Sequence, residues 1–175
     1  MKILAFGATS SSKSINKQLA VYAANLVPQA DVDVLDLNEF EMPLFSQDKE
    51  EAIGHPQLAK DFLARIEQAD AIIISFAEHN GSYTVAYKNV FDWASRINTK
   101  VFQNKPMIML ATSPGPGGAA SVLASAVNSA PYFDGEVKGS LSVPSFYDNF
   151  NSDEAKLVNQ ELNQELAAIV SKLTS

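Results

Sequence analysis

Residues 70–76 read Asp-Ala-Ile-Ile-Ile-Ser-Phe, and this stretch decides the fold. Apolar side chains stand at consecutive positions, so neither face can turn to water, and the run has strand length. A strand apolar on both faces belongs at the centre of a parallel sheet covered by helices on both sides. Upstream, Lys2–Gly7 is a second short apolar run, ending in glycine. Ile15, Leu19, Ala23 and Leu26 then fall on one helical face before Pro28, and Val32, Val34, Leu35 and Leu37 give another strand. Met42–Glu51 reads as a loop, and Leu58, Phe62, Ile66 and Ala69 stripe a helix.

Downstream the alternation continues. Tyr87, Val90, Phe91, Ala94 and Ile97 stripe a helix; Pro106–Ala111 is a strand. Val122, Leu123, Ala126, Val127 and Ala130 suggest a fourth helix, Val137–Val143 a fifth strand, and Leu162, Leu166, Ile169, Val170 and Leu173 a closing helix. Five strands alternating with five helices imply one α/β domain over residues 1–175 with an open parallel sheet. In such sheets ligands bind outside the carboxyl ends of the strands, at a switch point. The loops after the first, third and fourth strands are therefore the ones to inspect.

Composition narrows the chemistry. The 175 residues contain no cysteine, which removes disulfides, thiolate metal sites and cysteine nucleophiles together. No His/Asp/Glu set has metal-ligand spacing. A net charge of −7 argues against a nucleic-acid partner. No apolar run approaches the ~20 residues of a membrane helix, and the start lacks a signal-type core, so a cytoplasmic protein with no membrane partner is expected. The charge is uneven. Residues 1–30 carry Lys2, Lys13 and Lys17 with no acid, whereas residues 31–70 carry a net −8. A small anion can bind at the cationic start.

The first loop supplies donors for one. Thr9, Ser10, Ser11, Ser12 and Ser14 are hydroxyls, Lys13 is a cation, and Ile15-Asn16 open a helix whose N-terminal N–H groups suit a phosphate. A single serine would be read as a helix cap; five hydroxyls in six positions favour a phosphate site. The loop also nearly matches the Walker P-loop, but Ser12 stands where its second glycine belongs. The acid a Mg²⁺-nucleotide site needs is represented only by Glu78.

The second loop, Ala77-Glu78-His79-Asn80-Gly81-Ser82-Tyr83-Thr84, leads into Val85–Trp93. It resembles the P-E-Y-N … L-K-N-x-x-D-W signature of NAD(P)H-dependent FMN reductases, with Glu78, Asn80, Lys88, Asn89, Asp92 and Trp93 in place. The first loop is similar to that family's G-S-x-R-x-x-S-x-N phosphate loop: Thr9 stands for its Ser, and Ser14 and Asn16 match. Ser113-Pro114-Gly115-Pro116-Gly117-Gly118 is similar to its Gly-rich flavin loop. Departures are Ser11 for the usual Arg, Ala77 for Pro, His79 for Tyr, and Thr84-Val85 for Pro-Gly. Lys13 can compensate for the missing Arg as a point charge.

The resemblance implies a flavodoxin-like three-layer sandwich that holds FMN noncovalently. It places the 5′-phosphate on Thr9, Ser11, Ser12, Ser14, Ile15 and Asn16, the ring along Ala77, Glu78, His79 and Asn80, and the ring's far side near Ser113 and Gly117. Hydride would pass from NADPH or NADH to a quinone, flavin or similar small acceptor, with no catalytic side chain required, in a homodimer or homotetramer. The alternative on the same fold is a flavodoxin-type electron carrier without a nicotinamide site. Tyr83 and Phe45 are candidates for the open face of the ring. His55 reads as structural, Trp93 as core or interface, and Lys88 with Asp92 as a surface ion pair at i, i+4.

Overall fold

The structure, a computed structural model, describes residues 1–174. It begins β1 (Lys2–Ala8), α1 (Ile15–Asn25), β2 (Asp31–Val34), α2 (Gln47–Ile53), α3 (Gln57–Gln68) and β3 (Ala71–Phe76). A small hairpin, β4 (Glu78–His79) and β5 (Ser82–Tyr83), leads into α4 (Val85–Ile97). Then come β6 (Lys105–Thr112), α5 (Ala120–Ser129), β7 (Gly135–Val143) and α6 (Phe146–Asn149). A second hairpin, β8 (Phe150–Asn151) and β9 (Lys156–Leu157), precedes α7 (Gln160–Val170).

The main sheet is wholly parallel, in the order β2-β1-β3-β6-β7, which is the flavodoxin-like order. Strand β3 is central and buried throughout. Its side chains alternate between two cores because successive residues of a strand point to opposite faces. Ile72, Ile74 and Phe76 join Leu4, Phe6, Met107 and Met109 under α3, α4 and α5. Ala71 and Ile73 join Ile3, Ala5, Ile108 and Leu110 under α1 and α7. Helices thus cover both faces, as the two-sided apolar runs require. No helix among the described residues is long and apolar enough to cross a membrane.

Three local expectations need correction. The second strand stops at Val34. Asp36 instead caps a 3-10 turn, Leu37–Phe40, by accepting from the Asn38 N–H at 2.9 Å. The loop expected over 42–51 contains the start of α2, whose cap Ser46 accepts from the Lys49 N–H at 3.1 Å. The segment after β7 adds α6 and β8–β9, where Phe146 and Phe150 stack at 4.7 Å. The apolar stripes of α1, α3, α4, α5 and α7 stand where periodicity puts them.

Gly7 sets how closely α1 can approach the sheet. A Cβ there would lie 2.6 Å from the Lys17 amide nitrogen. Strand and helix touch backbone to backbone, which brings the first turn of α1 down onto the end of β1.

Candidate active site

Three loops converge at the carboxyl ends of β1, β3 and β6, around one cleft of about 240 Å³. The cleft is lined by Thr9, Ser11, Ser14, Ile15 and Asn16 from the first loop and by Ala77, Glu78 and His79 from the second. Ser113 joins from the third. Lys13, Thr112, Pro114 and Tyr147 complete it. Ser12, Asn80 and Gly117 do not line it. Ser12 faces a neighbouring groove along α1, Asn80 sits at the tip of the β4–β5 hairpin, and Gly117 is exposed on the Gly-rich loop.

The first loop keeps its donors free. Ser14 caps α1, its Oγ accepting from the Lys17 N–H at 2.9 Å, and Thr9 Oγ1 accepts from the Ser11 N–H at 3.2 Å. An accepting hydroxyl retains its own hydrogen to donate. The N–H groups of Ser14, Ile15 and Asn16 donate to no other described residue, as expected for a helix N-terminus. Of the three cations in residues 1–30, Lys17 binds Asp36 at 2.7 Å and Lys2 lies 4.0 Å from Asp33. Lys13 alone has no carboxylate partner among the described residues. The cationic start thus reduces to one uncommitted ammonium, at the cleft.

The Asn16 side chain has a structural job. The residue is 3% exposed. The carboxamide donates to the Thr112 carbonyl at 3.1 Å, and its oxygen accepts from the Thr112 N–H at 3.0 Å and from Ser75 Oγ at 2.7 Å. It joins the first turn of α1 to the ends of β3 and β6, and so holds the phosphate-type loop against the other two.

The second loop is a built hairpin. Asn80 (φ 53°) and Gly81 (φ 76°) are both left-handed, as a two-residue type I′ turn demands, and the Asn-Gly pair is the sequence signal for it. The Glu78 carboxylate accepts from the Val122 N–H at 2.8 Å. Helix α5 begins after Ala119, a left-handed residue without a capping side chain, so Glu78 caps it from across the loop. The acid a Mg²⁺-nucleotide reading needs is therefore committed elsewhere. Thr84 caps α4 and also donates to the Ala8 carbonyl at 2.9 Å, tying the hairpin's exit to the end of β1.

The third loop is anchored at both ends. Gly118 (φ 57°) packs so closely that a Cβ would meet Ser142 Oγ at 2.3 Å, and that hydroxyl donates to the Gly118 carbonyl at 2.8 Å. The Ser145 N–H donates to the Gly115 carbonyl and the Phe146 N–H to that of Ser113. These bonds bring α6 to the cleft and place Tyr147 on its wall. Only the run of aromatics after Pro144 hinted at this in the sequence.

Most of the L-K-N-x-x-D-W stretch is scaffold. Asn89 donates to the Met42 and Pro43 carbonyls and accepts from the Phe45 N–H at 2.8 Å. Trp93 is fully buried and donates to the Pro43 carbonyl at 2.7 Å. Lys88 and Asp92 pair at 2.7 Å. Phe45 packs edge-on against Trp93 at 5.1 Å, and Tyr83 lines a separate recess; neither lines the cleft. His55 bonds Glu50, which Arg96 also holds. Burial pushes the Glu50 carboxyl up, but His55 and Arg96 outweigh it and hold it below its usual value.

A family model described as NADPH-dependent FMN reductase matches residues 1–148. An NAD(P)H-dependent FMN reductase from Pseudomonas aeruginosa is 32% identical over 121 residues, 69% of this chain and 64% of that one. A 2-hydroxy-1,4-benzoquinone reductase from a Burkholderia species is 38% identical over 109 residues, 61% of this chain and 57% of that one. The chain thus spans roughly six-tenths of the length of these relatives. Among solved structures, a flavoenzyme NAD(P)H:(acceptor) oxidoreductase from Paracoccus denitrificans superimposes with a TM-score of 0.79 at 22% identity, covering 99% of this chain and 97% of its own.

Proposed function

This chain belongs to the NADPH-dependent FMN reductase family, and from that premise we propose that it holds FMN noncovalently and passes reducing equivalents from NADPH or NADH to a quinone, flavin or similar small acceptor. In this reading residues 1–175 act as one flavodoxin-like FMN-binding domain. The observation that carries it is the cleft itself: the first turn of α1 with its free N–H groups, the hydroxyl residues Thr9, Ser11 and Ser14, and Lys13 line one cleft at the sheet's switch point.

The donor set fits FMN. A phosphate monoester takes hydrogen bonds and positive charge, and the first loop offers both with no competing free carboxylate. The Ser14 hydroxyl and the Ile15 and Asn16 N–H groups would hold the phosphate, with Lys13 as counter-charge. Ala77, Glu78 and His79 would lie along the ring, mainly through backbone atoms because the Glu78 carboxylate is engaged. Ser113 and its glycine neighbours would border the other side. When bound, FMN supplies the hydride chemistry, so the protein's work is binding and orientation. Gly7, Asn16 and Thr84 keep the three loops in fixed register for that work.

The carrier alternative needs acids around the cofactor. Among the described residues Glu78 is the sole acid lining the cleft, and it caps α5, so the oxidoreductase is favoured. The test is to add FMN, NADPH or NADH and a benzoquinone to the purified chain. Nicotinamide oxidation that requires both FMN and quinone supports the proposal. Failure to bind FMN overturns it, and FMN binding with neither nicotinamide oxidised leaves the carrier.

A further inference from the structure

The cleft has one wall that no loop motif accounts for. Tyr147 stands on it, 68% exposed, while the residues around it are fixed. Phe146 is fully buried, meets the Tyr147 ring edge-on at 5.5 Å and stacks on Phe150. The Ser145 N–H donates to the Gly115 carbonyl at 2.9 Å and the Phe146 N–H to the Ser113 carbonyl at 3.0 Å. Asn149 Nδ2 donates to the Pro144 carbonyl at 2.8 Å. Ser145 itself is left-handed (φ 44°), a conformation a non-glycine residue holds only where its surroundings over-determine it. The backbone beneath Tyr147 is thus held in place, and the side chain is presented from a rigid base.

Two neighbouring grooves locate Tyr147 along the cleft. One runs along α1 and shares Lys13 and Ser14 with the cleft; the other lies beside the β8–β9 hairpin and shares Tyr147. The two grooves meet at Ser152. Lys13, Ser14 and Tyr147 therefore stand on one flank of the cleft, toward that hairpin, whereas Ala77, Glu78 and His79 border neither groove. This is the flank of the first turn of α1. Among the described residues no guanidinium lines the cleft. The Tyr147 hydroxyl makes no hydrogen bond to another described residue, so its hydrogen is available to a ligand.

We propose that Tyr147 binds the phosphate of the cofactor: its hydroxyl donates a hydrogen bond to the FMN 5′-phosphate, beside Lys13. The inference rests on the cleft being the FMN site. A phosphate monoester has three terminal oxygens, and the N–H groups of one helix turn reach it from one side. A donor carried by α6 comes from a separate element and takes an oxygen that the helix end leaves to water. A phenol donates without adding charge, so Lys13 remains the counter-charge and Tyr147 adds direction.

The test titrates the full chain with FMN and with riboflavin, which lacks the phosphate, following flavin fluorescence in the wild type, Tyr147→Phe and Tyr132→Phe. Tyr147→Phe keeps the ring and removes the donor. It should raise the FMN dissociation constant about five- to tenfold and leave that for riboflavin unchanged. Tyr132, 83% exposed and not on the cleft, is the control, and its variant should change neither. An unchanged FMN constant in Tyr147→Phe overturns the proposal and leaves the FMN reading standing. An equal loss for both flavins also overturns it, because the phosphate is then not the partner. Failure of the wild type to bind FMN overturns the FMN reading and this proposal with it.

Discussion

The Asn16 carboxamide pairs with the Thr112 backbone, 96 residues away, donating to its carbonyl at 3.1 Å and accepting from its N–H at 3.0 Å. With Ser75 Oγ as a third partner, one side chain ties the first turn of α1 to the ends of β3 and β6. Asn16→Leu would leave the Thr112 N–H and carbonyl and the Ser75 hydroxyl unpaired in a buried place. Each such group costs about 1–3 kcal/mol, part of it recovered by relaxation, so a loss of about 2–4 kcal/mol is expected in urea unfolding.

Asn89 and Trp93 hold the segment Met42–Phe45 through its backbone. Asn89→Ala should destabilise the protein by about 1–3 kcal/mol, since buried backbone groups lose partners. The specific sign is local. The Phe45 amide should lose its hydrogen-exchange protection, while amides of β3 keep theirs relative to the global stability.

The two lysines flanking Ser14 should behave differently. Lys17 is committed to Asp36, whereas Lys13 is unpaired at the cleft. Lys13→Ala should weaken FMN binding by about tenfold at low salt, with the difference shrinking as salt screens it. Lys17→Ala should change it far less. Equal effects would contradict the assignment of Lys13.

The Lys17–Asp36 pair gives a pH prediction. The bond from Lys17 and then the Asn38 N–H hold the Asp36 carboxyl below its ordinary value, against some burial. The folded value lies below the unfolded one, so the pair's contribution is present above the ordinary carboxyl range. It is lost as pH falls through the folded value. Both groups are partly exposed, so Lys17→Met should cost only about 0.5 kcal/mol near neutral pH and less than that near pH 3. Urea unfolding at the two pH values checks this.

What the sequence disclosed follows the range of the interactions. Runs such as Ile72-Ile73-Ile74 carry their two-sided burial in their own composition, so the five strands and the sheet's class were legible. The phosphate-type loop was legible because its donors are consecutive. The Asn80-Gly81 pair is a hairpin signal, but the stretch reads as a polar loop, and the β4–β5 pairing comes only with the fold. Asn16, Glu78 and Asn89 could be singled out as motif residues but not understood. Their partners, Thr112, Val122 and Met42–Phe45, lie far along the chain, and only the folded backbone brings them together. Tyr147 was missed for the same reason. Its place depends on α6, four residues held by bonds to the Gly-rich loop.

In the proposed function the cleft holds a flavin by its 5′-phosphate. The most direct measurement titrates the apo chain with FMN and, separately, with riboflavin, following quenching of flavin fluorescence. The expected result is saturable FMN binding, riboflavin binding weaker by about tenfold or more, and a smaller gap in Lys13→Ala. Absence of FMN binding, or equal affinity for the two flavins, would contradict it.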